Sequence, residues 1–129
     1  MSRRLLREHT FKLLYLSIFR EPEEMDEQFD LYVQENELDA DAAEYVSCKV
    51  KDILMHLEDI DCSIEKICEN WRLSRIGKVE LAVLRLAAYE ISYEEDIPKN
   101  VSISEAVEIA KKYGGDHSGS FVNGVLAKI

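Results

Sequence analysis

Only seven of the 129 residues are glycine or proline, five and two respectively. A turn-rich all-β architecture and a low-complexity disordered chain are therefore both unexpected. No apolar run approaches the roughly 18 residues needed to cross a bilayer. The N-terminal stretch is basic and then apolar, but Glu8, His9 and Lys12 interrupt any signal-peptide core, and no small-residue cleavage site follows. The three cysteines, Cys48, Cys62 and Cys68, are odd in number and include no Cys-x-x-Cys pair. That usage fits reduced thiols in a cytosol, so a soluble, cytoplasmic protein with no membrane partner is expected. Catalytic signatures are also lacking. His9, His56 and His117 stand far apart, without a His-x-x-x-His or Glu-x-x-His ligand pair, and no Gly-x-Ser-x-Gly elbow occurs. The Gly114–Gly119 loop offers backbone N–H groups but follows no strand, so it is neither a Walker nor a Rossmann loop. These absences leave an enzyme, a metal site or a cofactor without support.

What is present is helical periodicity along one domain of 129 residues, with no internal repeat or linker. A first helix is expected over 3–19, ended ahead of Pro22. Met25, Phe29, Tyr32 and Val33 mark a second. Asp41 with Glu44 reads as an Asp variant of the capping box opening a third, in which Val46, Val50, Ile53, Leu54 and Leu57 share a face. Asp61 or Ser63 is expected to cap a short fourth, carrying Ile64, Ile67, Cys68 and Trp71. Ser74 is the expected N-cap of the fifth, which is apolar on two faces and so central. Arg85 and Glu90 on that helix must be paired or reach solvent. Ser102 with Glu105 reads as a capping box for the sixth, stopped by Gly114. Asp116 or Ser118 is expected to cap the seventh, in which Gly124 implies close helix packing. The pattern is an all-α bundle of seven short helices.

Charge is distributed unevenly behind a net of −10. Residues 1–20 carry five Lys or Arg against Glu8 alone, residues 21–70 carry seventeen acids against three bases, and residues 71–129 balance at eight each. Such a chain repels polyanions except at one end. At 100° per residue, Arg3, Arg4 and Arg7 share a sector of the first helix, and Phe11 and Tyr15 continue it. Arginine forks match phosphate, and an adjacent ring offers a stacking face for an unpaired base, so this is a candidate single-stranded RNA surface. The plainer alternative is a solvated helix start with Phe11 and Tyr15 in the core. Lys111 and Lys112, at the end of the sixth helix, suit the helix dipole without any ligand.

Three stretches together resemble the NusB family of transcription antitermination factors. They are Arg3-Arg4-x-x-Arg7-Glu8 with Leu14-Tyr15; Ile76-Gly-Lys-Val-Glu-Leu-Ala-Val-Leu-Arg-Leu-Ala-Ala-Tyr-Glu90, running to Ile97-Pro98; and Glu105-Ala-Val-Glu-Ile-Ala-Lys111 with Ser118-Gly-Ser-Phe-Val-Asn-Gly-Val-Leu126. The resemblance implies a seven-helix fold of two small helical subbundles. It also implies a protein that binds boxA-type RNA together with ribosomal protein NusE and, joined by other Nus factors on RNA polymerase, promotes ribosomal RNA transcription. Carried over by position, the RNA-binding residues are Arg3, Arg4, Arg7, Tyr15, Ser118, Phe121 and Asn123, and Glu80 faces NusE. The short basic arm implies low intrinsic RNA affinity, and His117 stands where many relatives hold an acid. Two other readings stand beside this one. The first is a helical protein-interaction module or homodimer that never meets RNA. The second is the RNA-recognition part of a ribosomal RNA methyltransferase, against which the chain's end at Ile129 speaks.

Overall fold

Residues 1–68 and 72–129 are described by a computed structural model, and among them are seven α-helices, two short 3-10 turns and no strand. The expected core position Trp71 lies outside the described residues. The helices are α1 (Arg3–Ser17), α2 (Met25–Glu35), α3 (Ala40–Met55), α4 (Leu57–Ile67), α5 (Lys78–Tyr93), α6 (Lys99–Gly114) and α7 (Asp116–Leu126). The chain divides into two compact units, residues 1–54 and 55–129. This matches the two subbundles implied by the resemblance. No described helix is long and apolar enough to cross a membrane.

In the first unit, α1 buries Phe11, Leu13 and Leu14, while α3 buries Ala42, Val46, Val50 and Ile53 at i+4, i+4 and i+3 spacing. The start of α1 is fixed by Ser2, whose Oγ accepts the Leu5 N–H at 3.1 Å. Its end tightens sooner than expected. The N–H groups of Ile18, Phe19 and Arg20 bond back to the carbonyls of Tyr15, Leu16 and Ser17, so the last turn is of the 3-10 kind and regular helix stops at Ser17. His9 Nδ1 and Tyr32 Oη meet at 2.6 Å, tying α1 to α2. Burial, followed by the charge of Lys12, lowers the His9 pKa, against the opposing pull of Glu8. Burial and the charge of Glu8 push the Tyr32 hydroxyl up to about 12. Both effects hold the pair neutral at physiological pH.

In the second unit α5 is the hub, packed on α4, α6 and α7, while α6 and α7 form a tight antiparallel pair. Eight consecutive α5 residues from Leu81 are apolar and buried except for Arg85, as the two-faced pattern predicts. Both charged residues expected to need partners have them. Arg85 Nε and Nη2 donate to Asp61 Oδ1 and Oδ2, each at 2.9 Å, clamping α4 to α5. Ser102 Oγ donates to Glu90 Oε1 at 2.9 Å, and both residues are 1% exposed.

Several helix starts differ from the expected caps. Asp39, not Asp41, opens α3, its Oδ1 accepting the Ala42 N–H at 2.8 Å. The start of α4 at Leu57 leaves Asp61 and Ser63 inside the helix, and Asp61 serves Arg85 instead. Ser74 lies in the 3-10 turn Leu73–Arg75, and Gly77 precedes α5. Pro98 precedes α6, so the Ser102…Glu105 pattern falls within the helix. Helix α6 runs through Gly114. The stop is Gly115, at φ +96°, a left-handed conformation that costs glycine little. The same residue precedes α7, so neither Asp116 nor Ser118 is its N-cap.

Candidate nucleic-acid interface

The Ser2 cap places Arg3 and Arg4 in the first turn of α1, where both are exposed and no acid accompanies them. A cation here opposes the helix dipole by a few tenths of a kcal/mol, so propensity does not account for the pair. The expected basic and aromatic stripe divides in two. Arg7 and Phe11 are drawn inward, at 8% and 3% exposure, whereas Tyr15 keeps 36%. Arg4 and Arg7 also interact with neighbouring groups. The Phe11 and Tyr15 rings are tilted at a centroid distance of 6.3 Å, and Phe19 continues the row with its ring 5.2 Å from Tyr15. Phe19 was not among the expected site residues. Its spacing from Tyr15 was visible, but it follows the last regular turn of the helix, where an i+4 argument loses force.

The C-terminal group lies in the second unit, at the meeting of α5, α6 and α7. Ser118 is buried and donates its Oγ hydrogen to Glu80 Oε1 at 2.9 Å. The expected RNA-contacting serine and the expected partner-facing acid therefore bond to each other. Glycines make room for the pair. A Cβ on Gly114 would lie 2.4 Å from Ser118 Oγ and 2.8 Å from its Cβ, and one on Gly77 would lie 2.8 Å from Glu80 Oε2. Gly119 lies beneath the Lys111 side chain, whose Cγ would be 2.7 Å from an added Cβ. The signal for this junction in the sequence is the cluster Gly114, Gly115 and Gly119. Phe121 is half-buried and Asn123 exposed. At about 100° per residue Phe121 falls near Ser118 on the α7 wheel, and Asn123 well round from both. Gly124 does not mark close packing, because an added Cβ there meets nothing within 4 Å.

Among the described residues no group of three or more His, Cys, Asp or Glu side chains is placed to hold a metal ion. The chemistry on display is that of recognition: exposed arginines and rings at the start of one helical unit, and a packed polar junction in the other. These features define a small all-α protein built around contact surfaces.

The chain belongs to the NusB family, whose family model matches residues 4–129. It is 46% identical over 130 residues to the transcription antitermination protein NusB of Agathobacter rectalis, covering 99% of this chain and 98% of that protein. The protein of the same name from Lachnoclostridium phytofermentans is 43% identical over 130 residues, covering 100% and 98%. Among solved structures, T. maritima NusB matches with a TM-score of 0.89 at 40% identity, covering 99% of this chain and 89% of that one. A chain from the crystal structure of antitermination factors NusB and NusE in complex with dsRNA matches with a TM-score of 0.84 at 32% identity, covering 98% and 93%.

Proposed function

We propose that this protein is a non-catalytic, cytoplasmic antitermination factor, acting as one RNA-binding module. It holds boxA-type RNA together with ribosomal protein NusE and, joined by other Nus factors on RNA polymerase, promotes ribosomal RNA transcription. The observation that carries the reading is the full-length likeness to the NusB chain solved with NusE and RNA. The charge pattern supports it, because residues 1–20 alone favour a polyanion and residues 21–70 suit a basic protein. Exposed Arg3 and Arg4 supply the phosphate contacts, and Arg7, 8% exposed, adds its charge to the same helix start. Tyr15 and Phe121 supply rings, and Ser118, Asn123 and Glu80 complete the RNA and partner surfaces.

So few phosphate contacts make RNA binding by the protein alone weak and salt-sensitive, and NusE raises it by mutual coupling. The test is RNA affinity of the purified protein with and without NusE, at low and high salt. The expected outcome is a partner-dependent gain and a falling affinity with salt. Absence of both would overturn the reading, and a solution mass of twice the chain in the absence of RNA binding would favour a homodimeric interaction module instead.

A further inference from the structure

We propose that Tyr15 and Phe19 form an aromatic platform on which an unpaired RNA base stacks, making Phe19 an RNA-contacting residue beyond the arginine-bearing start of α1. The inference rests on the RNA-binding reading above and extends its site along the helix. Single exposed apolar residues are ordinary on protein surfaces, but this pair is organised. Phe19 is 50% exposed and Tyr15 36%, and their rings meet edge to face at 5.2 Å and 65°. Phe11, 3% exposed, supports Tyr15 from the core side. The 3-10 closing turn fixes the Phe19 backbone, through its N–H to the Leu16 carbonyl at 3.0 Å.

Cations lie at both ends of the row. Arg4 precedes it on the exposed arc of α1 that Tyr15 shares. At the other end exposed Arg20 donates from Nη1 to the Phe19 carbonyl at 3.3 Å, which holds a guanidinium at the Phe19 backbone. Glu8 falls on the same arc, where its charge acts on His9 and Tyr32. From Arg4 to Tyr15 is eleven residues, or about 16 Å of helix, so phosphates at one end and a base at the other are within reach of one short strand. Every base has a π-face, so the platform needs no particular sequence, and flanking arginines neutralise the backbone between stacked bases. An acidic or apolar protein surface would satisfy either the arginines or the rings, whereas single-stranded RNA satisfies both.

The experiment measures binding of the full chain, with NusE present, to a labelled single-stranded RNA, to an abasic strand of equal length, and to a duplex. Phe19→Ala and Phe19→Leu are each expected to weaken binding to the single strand about tenfold, the scale of one stacked base. Phe19→Trp retains it. None of the three changes affinity for the abasic strand or the duplex, and the salt slope stays at the wild-type value. Wild-type affinity in the leucine variant overturns the platform, as does an equal loss on the abasic strand. Weakened NusE binding with RNA affinity intact assigns the rings to protein contact and likewise overturns it. If Arg3→Ala with Arg4→Ala abolishes RNA binding while Phe19→Ala leaves it untouched, only the platform falls. If the wild-type protein binds no RNA, the functional reading falls with it.

Discussion

Replacing Ser102 by alanine, alone and together with a change at Glu90, decides between two roles for one hydroxyl. Read as a helix cap, Ser102 would contribute about 1 kcal/mol through the backbone alone. In the structure it instead donates to Glu90 Oε1 at 2.9 Å, with both residues 1% exposed. A hydrogen bond to a buried carboxyl group contributes about 1.5–3 kcal/mol, and its loss leaves an acceptor short of a donor. Ser102→Ala should therefore cost about 2 kcal/mol. With an unfolding entropy of about 2.1 cal/mol/K per residue, that lowers Tm by about 7 °C for a chain of this size.

The cost alone does not separate the two roles, but coupling does. Glu90→Met, which keeps length while removing the acceptor, should be destabilising by itself. The double variant should then be more stable than the sum of the single losses by about 1 kcal/mol or more, because neither polar group is left without the other. Urea unfolding followed by far-ultraviolet circular dichroism on the four proteins measures the cycle. Additive losses, with coupling near zero, would refute the buried pair.

The remaining predictions concern the other features described. Arg3→Ala with Arg4→Ala should leave Tm unchanged, both residues being exposed, and should flatten the plot of log affinity for single-stranded RNA against log salt by about 1.4, at roughly 0.7 per phosphate contact. An unchanged slope would show that these arginines touch no phosphate. Gly124→Ala, with nothing within 4 Å of the new Cβ, should stabilise by up to about 1 kcal/mol. Gly114→Ala should destabilise despite the same gain in helix propensity, because its Cβ would strike Ser118; thermal melts giving the two variants the same sign would contradict the packing at that junction. His9 has a folded pKa below its unfolded 6.5, so the unfolded chain binds the proton more tightly. The stability due to neutral His9 is complete above pH 6.5 and is lost as pH falls through the folded value. His9→Gln should flatten that part of the pH profile of urea midpoints, and an unaltered profile would mean that His9 is not responsible.

What could be read from sequence was whatever depends on burial over many residues. The two apolar faces of α5 gave its central place, and its embedded charges required partners, which Asp61 and Ser102 supply. Helix starts were harder to read. Ser-x-x-Glu also occurs inside helices, and at Ser102 a tertiary partner twelve residues back outweighs the local pattern. At Asp41 and Asp39 two acids a turn-fraction apart offered the same chemistry, and only backbone position chose between them. Within the candidate site, charge patterning found Arg3 and Arg4 on the surface, and the aromatic row was legible as far as Tyr15. The burial of Arg7 and the bond between Ser118 and Glu80 were not, because both depend on contacts between helices. A wheel projection shows which residues share a side, and not which side meets a neighbour.

The joint at Gly115 carries a consequence for how the second unit forms. A connection of one residue between α6 and α7 closes with almost no chain entropy. The main contacts of the unit also join helices that follow one another: α4 with α5, α5 with α6, and α6 with α7. Short sequence separation of this kind goes with rapid folding, on microsecond to millisecond scales. The pairing of α6 with α7 is thus the most local long contact in the unit, and it turns on the one residue type that takes a positive φ with little strain.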